Sequence, residues 1–157
     1  MKRIYLMLTA LLLSFQVAAA ELVPASNFLE DGKKAAQLNQ PIAILLVHKG
    51  VRSGIMLKEE ALLPNLLSGV FDDKVMFREI EVNVDGTVID FYGEPMQRKE
   101  FQTLFNITSL PAMVFVDSEG DQLTTPLFSG AYEFYGFYLK RKLNESMQAL
   151  GNPIRFE

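Results

Sequence analysis

Apolar runs alternate with amphipathic stretches along this chain, and the period of each predicts the element it forms. Ser26 to Gln40 carries Phe28, Leu29, Ala35, Ala36 and Leu38 at helical spacing, with Gly32 interrupting and Asn39-Gln40-Pro41 as the stop. Ile42 to Val47 is continuously apolar, the mark of a central strand covered on both faces. Ile55 to Leu67 sets Met56, Leu57, Ala61, Leu62, Leu63, Leu66 and Leu67 against Lys58, Glu59 and Glu60, an amphipathic helix that Pro64 should kink. Val75 to Val84 alternates Ile80, Val82 and Val84 with Glu79, Glu81 and Asn83 and reads as a strand, while Met96 to Phe105 reads as a short helix through Met96, Phe101, Leu104 and Phe105. Ala112 to Val116 is a third apolar strand, Asp117 to Asp121 a hairpin turn with Gly120 free to take a positive φ, and Leu123 to Phe128 the returning strand. Tyr132 to Leu150 closes the chain as a helix with Leu139, Leu143, Met147 and Leu150 on one stripe.

The predicted order is α, β, α, β, α, β, β, α: a parallel pair of strands, an antiparallel hairpin and a final helix. No internal repeat or low-complexity segment interrupts it, and one α/β domain is the natural count. Ahead of it, Lys2 and Arg3 precede an apolar stretch from Ile4 to Phe15 and the small residues Ala18-Ala19-Ala20. That pattern predicts a secretory signal over residues 1–20, cleaved after Ala20, with residues 21–157 as the exported domain. The expected compartment is a bacterial periplasm, with no membrane association after cleavage. A lipoprotein signal is excluded, since it needs a cysteine.

Charge narrows the partners. The whole chain has a formal charge of −4, and losing Lys2 and Arg3 with no acidic residue brings the exported domain to −6. An acidic domain without basic clusters argues against nucleic acid or an anionic membrane surface. The chain of 157 residues contains no cysteine, so thiol–disulfide exchange through its own side chains is excluded although export would permit it. Stability must come from packing.

The residues between Pro41 and Leu143 nevertheless resemble the thioredoxin superfamily, and more narrowly its exported SoxW-type members. The likeness is carried by the strand followed by HKGVRSGIMLKEEALLP, by VNVDGTVIDFYGEPMQRKEF, and by NITSLPAMVFVDSEGDQL followed by SGAYEFYGFYLKRKL. The resemblance implies a thioredoxin-like fold: a central mixed β-sheet flanked by helices, with a cis-proline, here Pro111, ahead of the third strand and facing the active loop across a groove. It also places the family's Cys-x-x-Cys on Val51-Arg52-Ser53-Gly54, its buried proton-moving carboxylate near Leu45, and its aromatic residue before the first cysteine in a chain that has no tryptophan. Three parts of the redox apparatus are missing together, which suits a fold kept for another task. The setting the resemblance implies is an accessory role in sulfur-compound oxidation or in cytochrome or thiol maturation.

The candidate binding groove is therefore Val51, Arg52, Ser53, Gly54, Leu110 and Pro111, with a periplasmic protein or peptide as partner. In the family, residues beside the proline pair with an extended partner as an added strand, a mode that needs only main-chain groups and apolar pockets. Ser53 has no paired histidine and no nucleophile elbow, and is expected as a helix N-cap. Lys49 and Arg52 form the one locally basic spot and define a second reading, in which a thiol-independent enzyme or anion-binding protein uses the loop together with His48. His48, the only histidine, lacks the companions a metal site requires; no metal or cofactor is expected. A third reading is a structural subunit docking through the aromatic cluster Tyr132, Phe134, Tyr135, Phe137 and Tyr138, with Tyr135 and Tyr138 as the docking face. Asp117 to Asp121 lacks calcium-loop spacing and is a turn.

Overall fold

The computed structural model describes residues 19–157; the expected signal segment, apart from its last two residues, lies outside the described residues. The elements are β1 (Leu22–Pro24), α1 (Phe28–Leu38), β2 (Ile42–Val47), α2 (Arg52–Met56), a π-helical segment (Leu57–Leu62), α3 (Leu63–Leu67), β3 (Met76–Glu81), β4 (Thr87–Ile89), β5 (Pro95–Gln97), α4 (Glu100–Leu104), β6 (Ala112–Val116), β7 (Leu127–Phe128) and α5 (Tyr132–Ala149). Five strands form one sheet in the order β1-β3-β2-β6-β7, and β4 pairs with β5 in a separate hairpin. β1, β3 and β2 run parallel, and β6 and β7 return antiparallel.

The continuous apolar run of β2 is explained by its position. All six of its residues are buried, and they alternate between two cores. Ala43, Leu45 and Val47 join Met113 and Phe115 of β6 beneath α5 and the π-helical segment. Ile42, Ile44 and Leu46 join Ala112, Val114 and Val116 on the opposite face, against Phe28, Phe91 and Phe101. Phe28 stacks on Phe91 with ring centroids 4.8 Å apart. The sheet is thus the shared wall of both cores, as a strand covered on both faces requires.

α1 begins where Asn27 accepts the Glu30 N–H at 3.1 Å and ends at Asn39 in the left-handed region (φ 48°). Gly32 interrupts its apolar spacing for a packing reason: a Cβ there would lie 2.2 Å from the Ser118 carbonyl oxygen.

Several expectations require correction. Residues 95–97 do not begin a helix but form β5, where Met96 pairs with Val88, and the helix is confined to Glu100–Leu104. The returning strand shrinks to Leu127–Phe128, preceded by a single bridge between Val116 and Gln122. The helix expected from Ile55 starts at Arg52. Its irregularity lies ahead of Pro64, in π-helical turns where the Leu63 N–H donates to the Lys58 carbonyl. Pro64 has no N–H and its ring crowds the carbonyl four residues back, so the helix widens just before it. β1 and β4, each three residues long, have too few positions to show a period.

Candidate functional site

The sheet register builds the groove. β6 runs antiparallel to β2 with Leu46 opposite Ala112, so one step further Pro111 comes to the end of Val47, and Leu110 to the level of His48. The Leu110–Pro111 peptide bond is cis. Beyond β2 the chain turns through Gly50 (φ 78°), with the Val51 N–H donating to His48 O at 3.3 Å, and enters α2. Gly54 packs the helix start onto the strand end: a Cβ there would lie 3.3 Å from Val47 Cγ1. His48, Val51, Ser53, Gly54, Leu110 and Pro111 consequently surround one crevice of about 20 Å³. The predicted groove residues are brought together, with Arg52 alone outside the lining.

Pro111 is buried, Leu110 is half-buried and Val51 is exposed. Neither the N–H nor the C=O of Leu110 has a hydrogen-bond partner among the described residues. Leu110 therefore keeps one main-chain donor and one main-chain acceptor unused, in a residue that lines the crevice together with Val51.

Ser53 does not cap the helix. The N-cap is Val51, whose side chain cannot accept a hydrogen bond, and Ser53 occupies the second helical position. The basic spot is also weaker than its sequence suggests. Lys49 Nζ lies 3.8 Å from Glu81, and Arg52 Nε turns to the Met56 sulfur at 3.2 Å. The loop is also held by Asn83, which no motif in the sequence marks. Its side chain accepts the Lys49 N–H at 2.6 Å and donates to the Lys49 carbonyl at 3.2 Å, clamping the loop backbone at two points. A lone polar residue after β3 carries no pattern that would have revealed this.

The aromatic docking face is corrected as well. Tyr135 is 2% exposed and belongs to the core under α5, so it is closed to a partner. Its hydroxyl has no partner among the described residues, and burial holds its pKa above the ordinary tyrosine range. Phe134, Phe137 and Tyr138 are the exposed aromatics of this helix, the last two meeting edge to face at 5.3 Å. No group of three or more His, Asp or Glu side chains arranged to hold a metal occurs among the described residues.

No family model and no curated protein matches the sequence. Solved structures do. A protein described as DsbH oxidoreductase superposes with a TM-score of 0.56 at 19% identity, covering 80% of this chain and 87% of that one. A redox protein from Chlamydomonas reinhardtii gives a TM-score of 0.52 at 14% identity, covering 82% of this chain and 37% of that one. A designed protein gives 0.50 at 20%, covering 83% and 95%. The parallel β-α-β half, the antiparallel β-β-α half and this likeness agree. The chain adopts a thioredoxin-like fold. Within the thioredoxin-like fold, Val51 is the N-cap and Gly54 the third helical residue of α2, and neither carries sulfur. Leu45, the residue expected in place of a proton-moving carboxylate, is fully buried among apolar neighbours.

Proposed function

We propose that this protein is a redox-inactive binding module, exported to the periplasm, that holds an extended polypeptide segment against Leu110. The observation that carries the reading is the free main chain of Leu110 beside an exposed Val51. An added strand needs a main-chain donor and a main-chain acceptor, and the free N–H and C=O of Leu110 supply these without sulfur, beside the exposed apolar side chain of Val51. Export rests on the basic and apolar N-terminal pattern. The pathway, an accessory role in sulfur-compound oxidation or in cytochrome or thiol maturation, is taken from the SoxW-type resemblance alone. The activity in the name DsbH oxidoreductase does not transfer to a chain with no cysteine.

The crevice volume speaks against the second reading. At about 20 Å³ it has room for about one water, far below the ~300–1,000 Å³ typical of small-molecule sites. The charges of Lys49 and Arg52 are directed to Glu81 and Met56 rather than into the crevice. Docking through α5 keeps Phe134, Phe137 and Tyr138 but loses Tyr135.

The test is capture of polypeptides from a periplasmic extract by the wild-type protein beside Val51→Glu, with circular dichroism confirming that both are folded. A polypeptide retained by the wild type and lost with Val51→Glu supports the groove. Equal capture by both removes it and leaves the exposed aromatics of α5 as the surface to examine.

A further inference from the structure

A second site lies on the far edge of the sheet, away from the groove. β1 leaves β3 early there. The Ala25 N–H donates to Glu79 O at 2.9 Å, but the return bond of a continuing parallel ladder, from Glu81 N–H to Ala25 O, is not made. The chain instead turns away, Asn27 bridging to Ile89. The Glu81 carbonyl is taken by the Val84 N–H at 3.1 Å, while the Glu81 N–H and the Ala25 C=O have no hydrogen-bond partner among the described residues. A cavity of about 110 Å³ opens at this break, lined by Ala25, Glu79, Glu81, Val88 and Arg98 among others.

Arg98 is unusual in this setting. Its main chain is fixed by the Arg98 N–H donating to Gly86 O at 3.1 Å, and a Cβ on Gly86 would touch its Nε at 3.7 Å. The Nε–H is buried without a partner, and the guanidinium makes no ion pair among the described residues. Glu79 and Glu81, both lining residues, are each matched by a lysine, Glu79 by Lys58 at 2.6 Å and Glu81 by Lys49 at 3.8 Å. Arg98 is left as the charge without a counter-ion. A buried donor on a charged group is costly to leave unsatisfied.

We infer that this cavity is a binding site for a small oxyanion. Arg98 Nε–H and Glu81 N–H supply the donors, charge-assisted in the first case. The Ala25 carbonyl can accept from a hydroxyl on a protonated oxyanion such as hydrogen phosphate. Size limits the class. The volume is several times what one water needs on the same measure, roughly 10–15 Å³, and well short of a drug-sized site at roughly 300–1,000 Å³. The site shares Glu81 with the Lys49 contact beside the groove loop but none of the groove residues, so it stands independently of the proposed peptide binding.

The experiment is a titration of the ¹⁵N-labelled protein with inorganic phosphate, read by the Glu81 amide and the Arg98 Nε–H resonances against sodium chloride at matched ionic strength. A saturable shift of both, absent with chloride, is expected. Arg98→Gln should weaken the apparent Kd about tenfold or more, the loss of one charge-assisted hydrogen bond. Val88→Phe, which fills the cavity and leaves Arg98 in place, should abolish the shift and decides the matter if Arg98→Gln does not fold. A wild type without a saturable shift at Glu81, or equal affinity in wild type and either folded variant, overturns the inference.

Discussion

Gly32 shows how one contact reverses an intrinsic preference. In an exposed helix interior, replacing glycine by alanine stabilises by about 1 kcal/mol. At this position the added methyl would sit 2.2 Å from the Ser118 carbonyl oxygen, which belongs to the turn after β6 and cannot swing away as a side chain end could. Gly32→Ala should therefore destabilise, by about 1–3 kcal/mol as overpacking does, and urea unfolding will give the sign; a more stable variant would mean that the turn yields. Glu145 makes a residue-scale prediction about pH. It accepts from the Thr124 hydroxyl and from Lys142 Nζ, the latter at 2.9 Å, and these bonds hold its pKa below the ordinary glutamate value. A carboxyl lowered in the folded state contributes fully above its unfolded pKa and loses that contribution as pH falls through the folded one. The side chain is 38% exposed, so solvent screening keeps the gain to a few tenths of a kcal/mol. Glu145→Gln should lower the melting midpoint slightly at neutral pH, with the gap to wild type closing on acidification; a constant gap would assign the effect to packing.

At the scale of elements, the site depends on how a loop is tied to a strand. Asn83 follows β3 and holds both main-chain polar groups of Lys49, so the register of β3 beside β2 is transmitted to the loop that lines the groove. Asn83→Ala should release the loop, with faster hydrogen exchange at the Lys49 amide, a stability loss of about 1–2 kcal/mol and weaker polypeptide capture. Unchanged exchange at Lys49 would show the loop to be held by α2 alone. The long elements and the groove were legible because each has a local signal. β2 and β6 are unbroken apolar runs, α5 carries a helical stripe, and Leu110-Pro111 stands directly before β6. What escaped was set by contacts distant in sequence. Met96 has helical spacing to its neighbours, yet pairing with Val88 makes it a strand residue. Ser53 has the chemistry of an N-cap, but the turn through Gly50 starts the helix at Arg52. Tyr135 belongs to a row of five aromatics in seven residues, and only the packing of α5 on the sheet decides which are buried.

Across the whole molecule, stability and the proposed binding draw on different residues. β2 feeds alternate side chains to two cores, so damage on either face reaches the same central strand and should be felt as one cooperative transition. Phe28, fully buried between Phe91 and Phe101, fills one core. Phe156 of the C-terminal tail reaches the other, pinned by Asn144, which accepts the Phe156 N–H at 2.7 Å and donates to its carbonyl at 2.9 Å. With no cysteine to cross-link the chain, these packed aromatics hold the fold without the help that disulfides give other small domains. Phe28→Ala should cost about 3–5 kcal/mol and lower a single midpoint without splitting it. Val51, by contrast, is 45% exposed and forms no part of either core. Val51→Glu should thus unfold within about 0.5 kcal/mol of wild type, as an exposed substitution does, while abolishing polypeptide capture. Measured side by side in guanidinium, the pair separates the two roles. A large stability loss with Val51→Glu would mean that the groove is part of the scaffold, and that lost capture reports unfolding rather than a binding site.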